Sequence, residues 1–381
     1  MATHGKTGNM NPDSRAETLV SSYEQAGYVR MNPAILQPAD PFLDLSGEDI
    51  RRRIYLTTDP EGRELCLRPD LTIPVSLDYL ASPAAGQAAG YCYLGPVFRH
   101  GNGVNEFLQA GIESFGRGDT AAADAEMLAL ALETAAHYGA PITEIRIGDV
   151  GLFMALVAAL DLAPAWKRRL NKDFNRKTSL ANDLDELTLH ARRTPPDYQG
   201  VLSALAGSNP RAARALVTDL LSIAGISAVG GRSVSEIADR FLEQAALGAA
   251  TSLPQDTRAI VERFLAINAA PVAAATELRA LAKDAGLKLD TALDLFDSRN
   301  ESLAARGVDV ASLRFSTAFG RGLDYYTGFV FELQANGGEH GPVIAGGRYD
   351  ELLQRLGADR AISAIGFAVW IERLAAAGEP A

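Results

Sequence analysis

The stretch Arg321-Gly-Leu-Asp-Tyr-Tyr-Thr-Gly-Phe-Val-Phe-Glu332 places a cation, a carboxylate and two phenols on a few residues, and its apolar half reads as a strand over Asp324–Leu333. Such groups suit a small zwitterion that carries a hydrogen-bonding ring. A second run, Gly346-Gly-Arg-Tyr-Asp350, follows closely, and a third, Gln109-Ala-Gly-Ile-Glu113, lies far upstream. The period of two in a strand puts Gln109, Gly111 and Glu113 on one face. Two polar ends flanking a glycine can then meet one ligand, with Gly111 leaving room for it.

Composition sets limits on what surrounds these runs. The chain has 381 residues, 47% apolar and 22% charged, as in an ordinary soluble globular protein, and is long enough for one large core plus a second unit. A formal net charge of -11 argues against a broad nucleic-acid-binding surface. The two cysteines, Cys66 and Cys92, have no partners at metal-ligand spacing, and the five histidines are scattered, so no metal site and a reducing, cytoplasmic home are predicted. No apolar run approaches the roughly 20 residues that cross a bilayer. Residues 1–13 are polar and carry no secretory signal, so a disordered N-terminus is expected.

The coarse element pattern is a helix over 14–27, short strands at Ile54–Leu56 and Glu64–Leu67, longer strands at Gly90–Arg99 and Glu106–Phe115, and a helix over Ala121–Tyr138. A mostly helical, alanine-rich segment follows. In it Ser233–Gly248 has a capping box at Ser233 and Glu236 and a stop at Gly248. Strand pattern returns at Asp324–Leu333, Val343–Ala345 and Ile362–Val369, with helices at Asp350–Leu356 and Glu372–Ala377. The fold class is therefore α+β: an antiparallel sheet flanked by helices, from a discontinuous domain over 14–160 and 312–378, interrupted by a helical insertion over 161–311.

The three runs resemble the amino-acid pocket of histidyl-tRNA synthetase, a class II aminoacyl-tRNA synthetase. Arg68-Pro-Asp-Leu-Thr72 is similar to the Arg-Pro-Glu-x-Thr run of that family. The resemblance implies that Asp70 and Thr72 accept from an α-ammonium, that Gln109 contacts the same end, and that Glu113 accepts from the imidazole. It implies that Arg321 takes the α-carboxylate, that Tyr326 contacts the ring and that Tyr349 lines the pocket. Tyr325 joins this histidine-binding set, although it also reads as a plain core aromatic, as does Tyr326. Glu113 taken singly reads as a partner for some arginine, and Gly346-Gly347 taken singly as a turn. Order, spacing and residue type across separated runs are what favour the pocket.

The departures fall elsewhere. Arg99 matches the arginine of motif 2, but the loop from His100 to Asn105 is short and lacks the usual further Arg and Glu. Motif 3 reads Gly366-Phe-Ala-Val-Trp-Ile-Glu-Arg373, with Trp370 where a glycine lets adenine lie against the sheet. Arg99, Trp370 and Arg373 thus mark a vestigial ATP site. The sequence ends soon after motif 3, so no anticodon-binding domain is expected. This combination resembles the regulatory subunits of ATP phosphoribosyltransferase. Membership implies no catalytic residues, no cofactor, L-histidine as ligand, and a short-form catalytic subunit as partner. It also implies a homodimer core, paired near Tyr28–Pro33, within a hetero-oligomer. The competing expectation is a truncated ligase that makes histidyl-adenylate for a non-tRNA acceptor. The basic run Lys167–Lys177 reads as a solvated helix face rather than a phosphate contact.

Overall fold

The computed structural model describes residues 14–46, 50–101, 104–174, 176–189, 255–335 and 341–378, with positions 215, 218, 219 and 223. The terminus at 1–13 and the expected helix over Ser233–Gly248 lie outside the described residues. Two compact units divide the chain: Met1–Ala155 with Arg263–Ala381, and Leu156–Glu262.

The first unit is built on twelve strands: β1 Val29–Met31, β2 Leu36–Pro38, β3 Tyr55–Thr58, β4 Glu64–Leu67, β5 Ala89–Phe98, β6 Glu106–Phe115, β7 Ile142–Asp149, β8 Asn268–Ala269, β9 Arg314–Ser316, β10 Phe329–Ala335, β11 Ile344–Arg348 and β12 Ala364–Trp370. Nine of them form one sheet in the order β1-β5-β6-β12-β11-β10-β7-β9-β8, and β2-β4-β3 form a small one. The centre of the large sheet is antiparallel throughout from β5 to β7, with parallel joins only where β1 meets β5 and β7 meets β9. The centre is buried on both faces: all five residues of β11 and six of the seven in β12 are inaccessible. That explains why Ile344-Ala-Gly-Gly-Arg348 tolerates two glycines. A side chain on Gly346 would collide with the Gly366 carbonyl and Phe367 of the neighbouring strand.

Two expectations are corrected here. Residues 321–328 are turn and loop, and the strand begins only at Phe329. In a strand, successive side chains point to opposite faces. Tyr325 and Tyr326 both face the same cavity, so the chain between them cannot be extended. The second correction concerns the insertion, whose far limit lies at 262 rather than 311. Helix Asp290–Ala305 packs on helix Thr120–His137 of the sheet unit. It is fastened there by ion pairs that are wholly buried: Arg299 Nε to Asp124 Oδ2 at 2.9 Å and Arg299 Nη2 to Asp149 Oδ2 at 2.7 Å. Arg348 completes the cluster, with Nη2 2.7 Å from Asp124 Oδ1.

Strand β7 has no counterpart in the expected element list. Its apolar residues do not alternate cleanly, and its pairing with β10 slips at Gln334/Ala335, which breaks the period-two pattern.

The second unit contains helices Pro164–Asp173 and Lys177–Leu189. Cations of the basic run are engaged within it. Arg169 Nη2 lies 2.6 Å from Asp183 Oδ1, Lys167 Nζ donates to the Ala158 carbonyl at 2.7 Å, and Arg176 Nη1 lies 3.1 Å from Asp173 Oδ1. Among the described residues no helix is long and apolar enough to cross a membrane.

Candidate functional site

A cavity of about 160 Å³ opens over the middle of the large sheet. Its floor is β6, β11 and β12; its walls are the start of helix Thr72–Leu80 and the loop 321–326. All eight residues of the expected histidine-binding set line it: Asp70, Thr72, Gln109, Glu113, Arg321, Tyr325, Tyr326 and Tyr349. Arg99 and Trp370 line it too, whereas Arg373 stands behind Trp370. A cavity of about 150 Å³ accommodates a benzene-sized ring, so an imidazole ring is within its capacity.

Strand register explains the geometry of the floor. Gln109 pairs with Trp370 and Glu113 with Gly366, so these four positions share one face. The Glu113 carboxylate lies in the space that a side chain on Gly366 would need. Gly111 does not make room for a ligand as expected. A side chain there would strike the phenol of Tyr93 and the Phe367 carbonyl. The missing side chain lets Tyr93 cross the sheet face and donate to Glu113 Oε1 at 3.2 Å. Tyr93 was not among the expected residues; its pairing opposite Gly111 across β5 and β6 was the available signal.

Glu113 accepts from three protein hydroxyls. Thr72 Oγ1 donates to Oε1 at 2.7 Å, Tyr93 donates to the same oxygen, and Tyr349 donates closely to Oε2. Burial nevertheless pushes the Glu113 carboxyl up to about 8, with the three hydroxyl donors pulling the other way. Tyr349 in turn packs edge-on to Tyr325 and Tyr326, with ring centres 5.6 and 6.5 Å away.

The opposite end of the cavity is unsaturated. Asp70 uses Oδ1 to accept the Ile73 N–H at 3.2 Å, but its buried Oδ2 has no partner among the described residues. Burial raises the Asp70 carboxyl, with Arg99 opposing. Arg321 has buried Nε and Nη1 donors with no acceptor among the described residues. Gln109 spends its carbonyl oxygen on the Leu71 N–H at 3.1 Å, which holds the amide in place and leaves its NH₂ to the cavity side. Orphaned buried donors and acceptors are costly unless a ligand meets them.

The Arg68-Pro-Asp-Leu-Thr72 run is held from below. Arg68 is buried and donates to the carbonyls of Pro96 at 2.8 Å and Pro33 at 2.5 Å. Arg99 Nε donates to the Pro69 carbonyl at 2.7 Å. Trp370 carries two guanidinium groups over its ring, Arg373 at 5.3 Å and Arg321 at 6.0 Å from the centre. Among the described residues no group of three or more His, Cys, Asp or Glu is placed to hold a metal.

The histidyl-tRNA synthetase family model matches residues 12–230 and 212–374. The chain is 44% identical over 362 residues to the ATP phosphoribosyltransferase regulatory subunit of Mesorhizobium japonicum, covering 91% of this chain and 93% of that one. It is 44% identical over 345 residues to that of Brucella anthropi, covering 89% and 90%. Among solved structures it resembles an ATP phosphoribosyltransferase regulatory subunit/histidyl-tRNA synthetase from Bacillus halodurans, with a TM-score of 0.65 at 21% identity over 100% of this chain and 83% of that one. It also resembles histidyl-tRNA synthetase from Nostoc, with a TM-score of 0.60 at 16% identity over 98% and 75%. These two structures bear on the fold alone.

Proposed function

The chain belongs to the family of ATP phosphoribosyltransferase regulatory subunits, on the class II fold of histidyl-tRNA synthetase, and we propose that within it this protein senses free L-histidine without catalysing a reaction. The observation that carries the reading is a pairing of unmet needs. The Asp70 Oδ2 acceptor and the Arg321 Nε and Nη1 donors lack partners in one cavity, beside the Glu113 carboxyl. An α-ammonium, an α-carboxylate and an imidazole would satisfy them together. A ligand missing one of these leaves a buried polar group unpaired, which discriminates strongly.

The relatives are named regulatory subunits of ATP phosphoribosyltransferase, which supports a catalytic subunit of that enzyme as partner; we infer that it is the short form. In this reading the chain supports that partner's activity, in the cytoplasm, and histidine lowers it by binding the less active state of the assembly more tightly. A coupling of about 1–3 kcal/mol is typical of such linkage. We infer that the homodimer core pairs near Tyr28–Pro33, where β1 is an edge strand with Val29 60% exposed.

The ligase reading draws on Arg99 and Arg321, which both line the cavity. Trp370 opposes it, because the indole lies on the floor where a base would have to lie. Calorimetric titration with histidine tests the proposal. Saturable binding to the wild type that is lost in Arg321→Ala supports it; no heat, or an unchanged Arg321→Ala curve, rejects it. Histidine-dependent pyrophosphate exchange on ATP would instead favour the ligase.

A further inference from the structure

Two carboxylates face the cavity, and among the described residues neither makes an ion pair: Glu113 is met by three hydroxyls, and Asp70 by a backbone N–H with Oδ2 left over. The cations on the same wall are Arg99 and Arg321. Buried carboxylates without a cation are costly and tend to hold a proton. A carboxylate offers about four lone-pair sites. Thr72, Tyr93 and Tyr349 occupy three at Glu113. One site is left, on a group that lacks only a positive partner.

Resting on the histidine reading above, we propose that the pocket holds the ligand with its ring as imidazolium, the second ring proton being the one Glu113 carries when the pocket is empty. The step balances within the site. Neutral imidazole enters, the Glu113 O–H bond breaks with its electron pair left on oxygen, and an N–H bond forms at the ring's bare nitrogen. No proton is exchanged with solvent. The bound ligand then presents two cations and one anion, the ring to Glu113, the ammonium to Asp70 and the carboxylate to Arg321.

The empty pocket supplies that proton near neutrality. Asp70, Tyr93, Tyr325, Tyr326 and Tyr349 surround Glu113 with neutral or anionic groups, and burial raises its carboxyl to about 8. The ring of free histidine titrates near ~6.5. Between these values the free partners together hold one proton and the complex holds one. Glutamine and asparagine offer hydrogen bonds but no basic nitrogen, so the site rejects them on charge as well as on shape.

The test uses the full chain and ring-¹⁵N-labelled L-histidine, followed by NMR between pH 6.5 and 9. The expected bound state shows the two closely spaced nitrogen signals of imidazolium at pH 7.5 and above, where the free ring is neutral. Calorimetry near pH 7.2 in buffers of different ionisation heat is expected to give almost no net proton exchange. Glu113→Gln is expected to weaken binding roughly tenfold or more and to hold the ring neutral. A bound wild-type ring with the widely split signals of a neutral tautomer overturns this proposal and leaves the histidine pocket standing. An imidazolium signature that survives in Glu113→Gln overturns it as well. Absence of any saturable histidine binding overturns both. If the variant fails to fold, the wild-type spectrum decides alone.

Discussion

The guanidinium carbon of Arg321 lies 6.0 Å from the centre of the Trp370 ring, so the cation proposed to hold an α-carboxylate rests on the residue that occupies the expected nucleotide slot. In the proposed reading, the loss of one subsite and the keeping of the other are joined in this single contact. Arg373, the last residue of motif 3, lies over the same ring at 5.3 Å. Arg373 is thus engaged by an indole, at a gain of about 0.5–2 kcal/mol for a contact of this kind.

That contact makes Trp370 a reporter of the pocket. The chain has two tryptophans, and the other, Trp166, lies in the second unit. In a Trp166→Phe background, histidine is expected to change Trp370 emission saturably, as the ligand carboxylate draws on Arg321. The change should disappear in Arg321→Ala. Saturable calorimetric binding with a silent Trp370 would show that the ligand sits elsewhere.

The raised Glu113 carboxyl predicts how the ligand-free protein responds to pH. Its ordinary value is 4.5 and the folded value about 8. The folded state therefore binds the proton more tightly, and this group's contribution is fully present below about 4.5 and is lost as pH rises through 8. At ~1.4 kcal/mol per pKa unit, the loss amounts to a few kcal/mol. Glu113→Gln cannot titrate. Its stability relative to wild type, from urea unfolding without histidine, is expected to improve from pH 5 to about pH 8 and then to level off. Parallel curves for the two proteins would contradict this.

The buried cluster of Asp124, Asp149, Arg299 and Arg348 predicts a large structural effect. Arg348 precedes Tyr349, and its Nη1 also lies 2.9 Å from Asp350 and 2.7 Å from Ser363 Oγ. Removing one partner of a buried pair leaves an uncompensated charge, at about 3–5 kcal/mol. Arg299→Ala is expected to lose that much in chemical unfolding, although Arg299 is not among the cavity's lining residues. A loss under 1 kcal/mol would mean that the pairs are dispensable.

Much of the site was legible in the sequence because its residues sit on strands that keep register. Gln109 and Glu113 declare their shared face by spacing alone. Tyr93 was not legible, since it reaches Glu113 only through the gap at Gly111, and that gap has meaning only once β5 is known to pair with β6. The same holds for Gly111, whose expected ligand space belongs to a neighbouring phenol. Residues 324–328 read as strand because their aromatic and β-branched residues have strand propensity, yet they are turn and loop. The demand that Tyr325 and Tyr326 face one cavity is a tertiary fact. The limit of the insertion was hidden for a related reason. Helix Asp290–Ala305 looks like its helical predecessors in composition, and its attachment to the sheet unit, through Arg299 meeting Asp124 and Asp149 and Phe296 packing on Phe315, is a tertiary fact.

The account stands on a histidine pocket that acts on a partner enzyme. Its most direct measurement is phosphoribosyl transfer to ATP by a short-form catalytic subunit, alone and with this chain, with and without histidine. The predicted result is activation by wild type and by Arg321→Ala alike, with histidine inhibiting only the wild-type assembly. Inhibition of equal strength in both assemblies, or no activation by the wild-type chain, would contradict it.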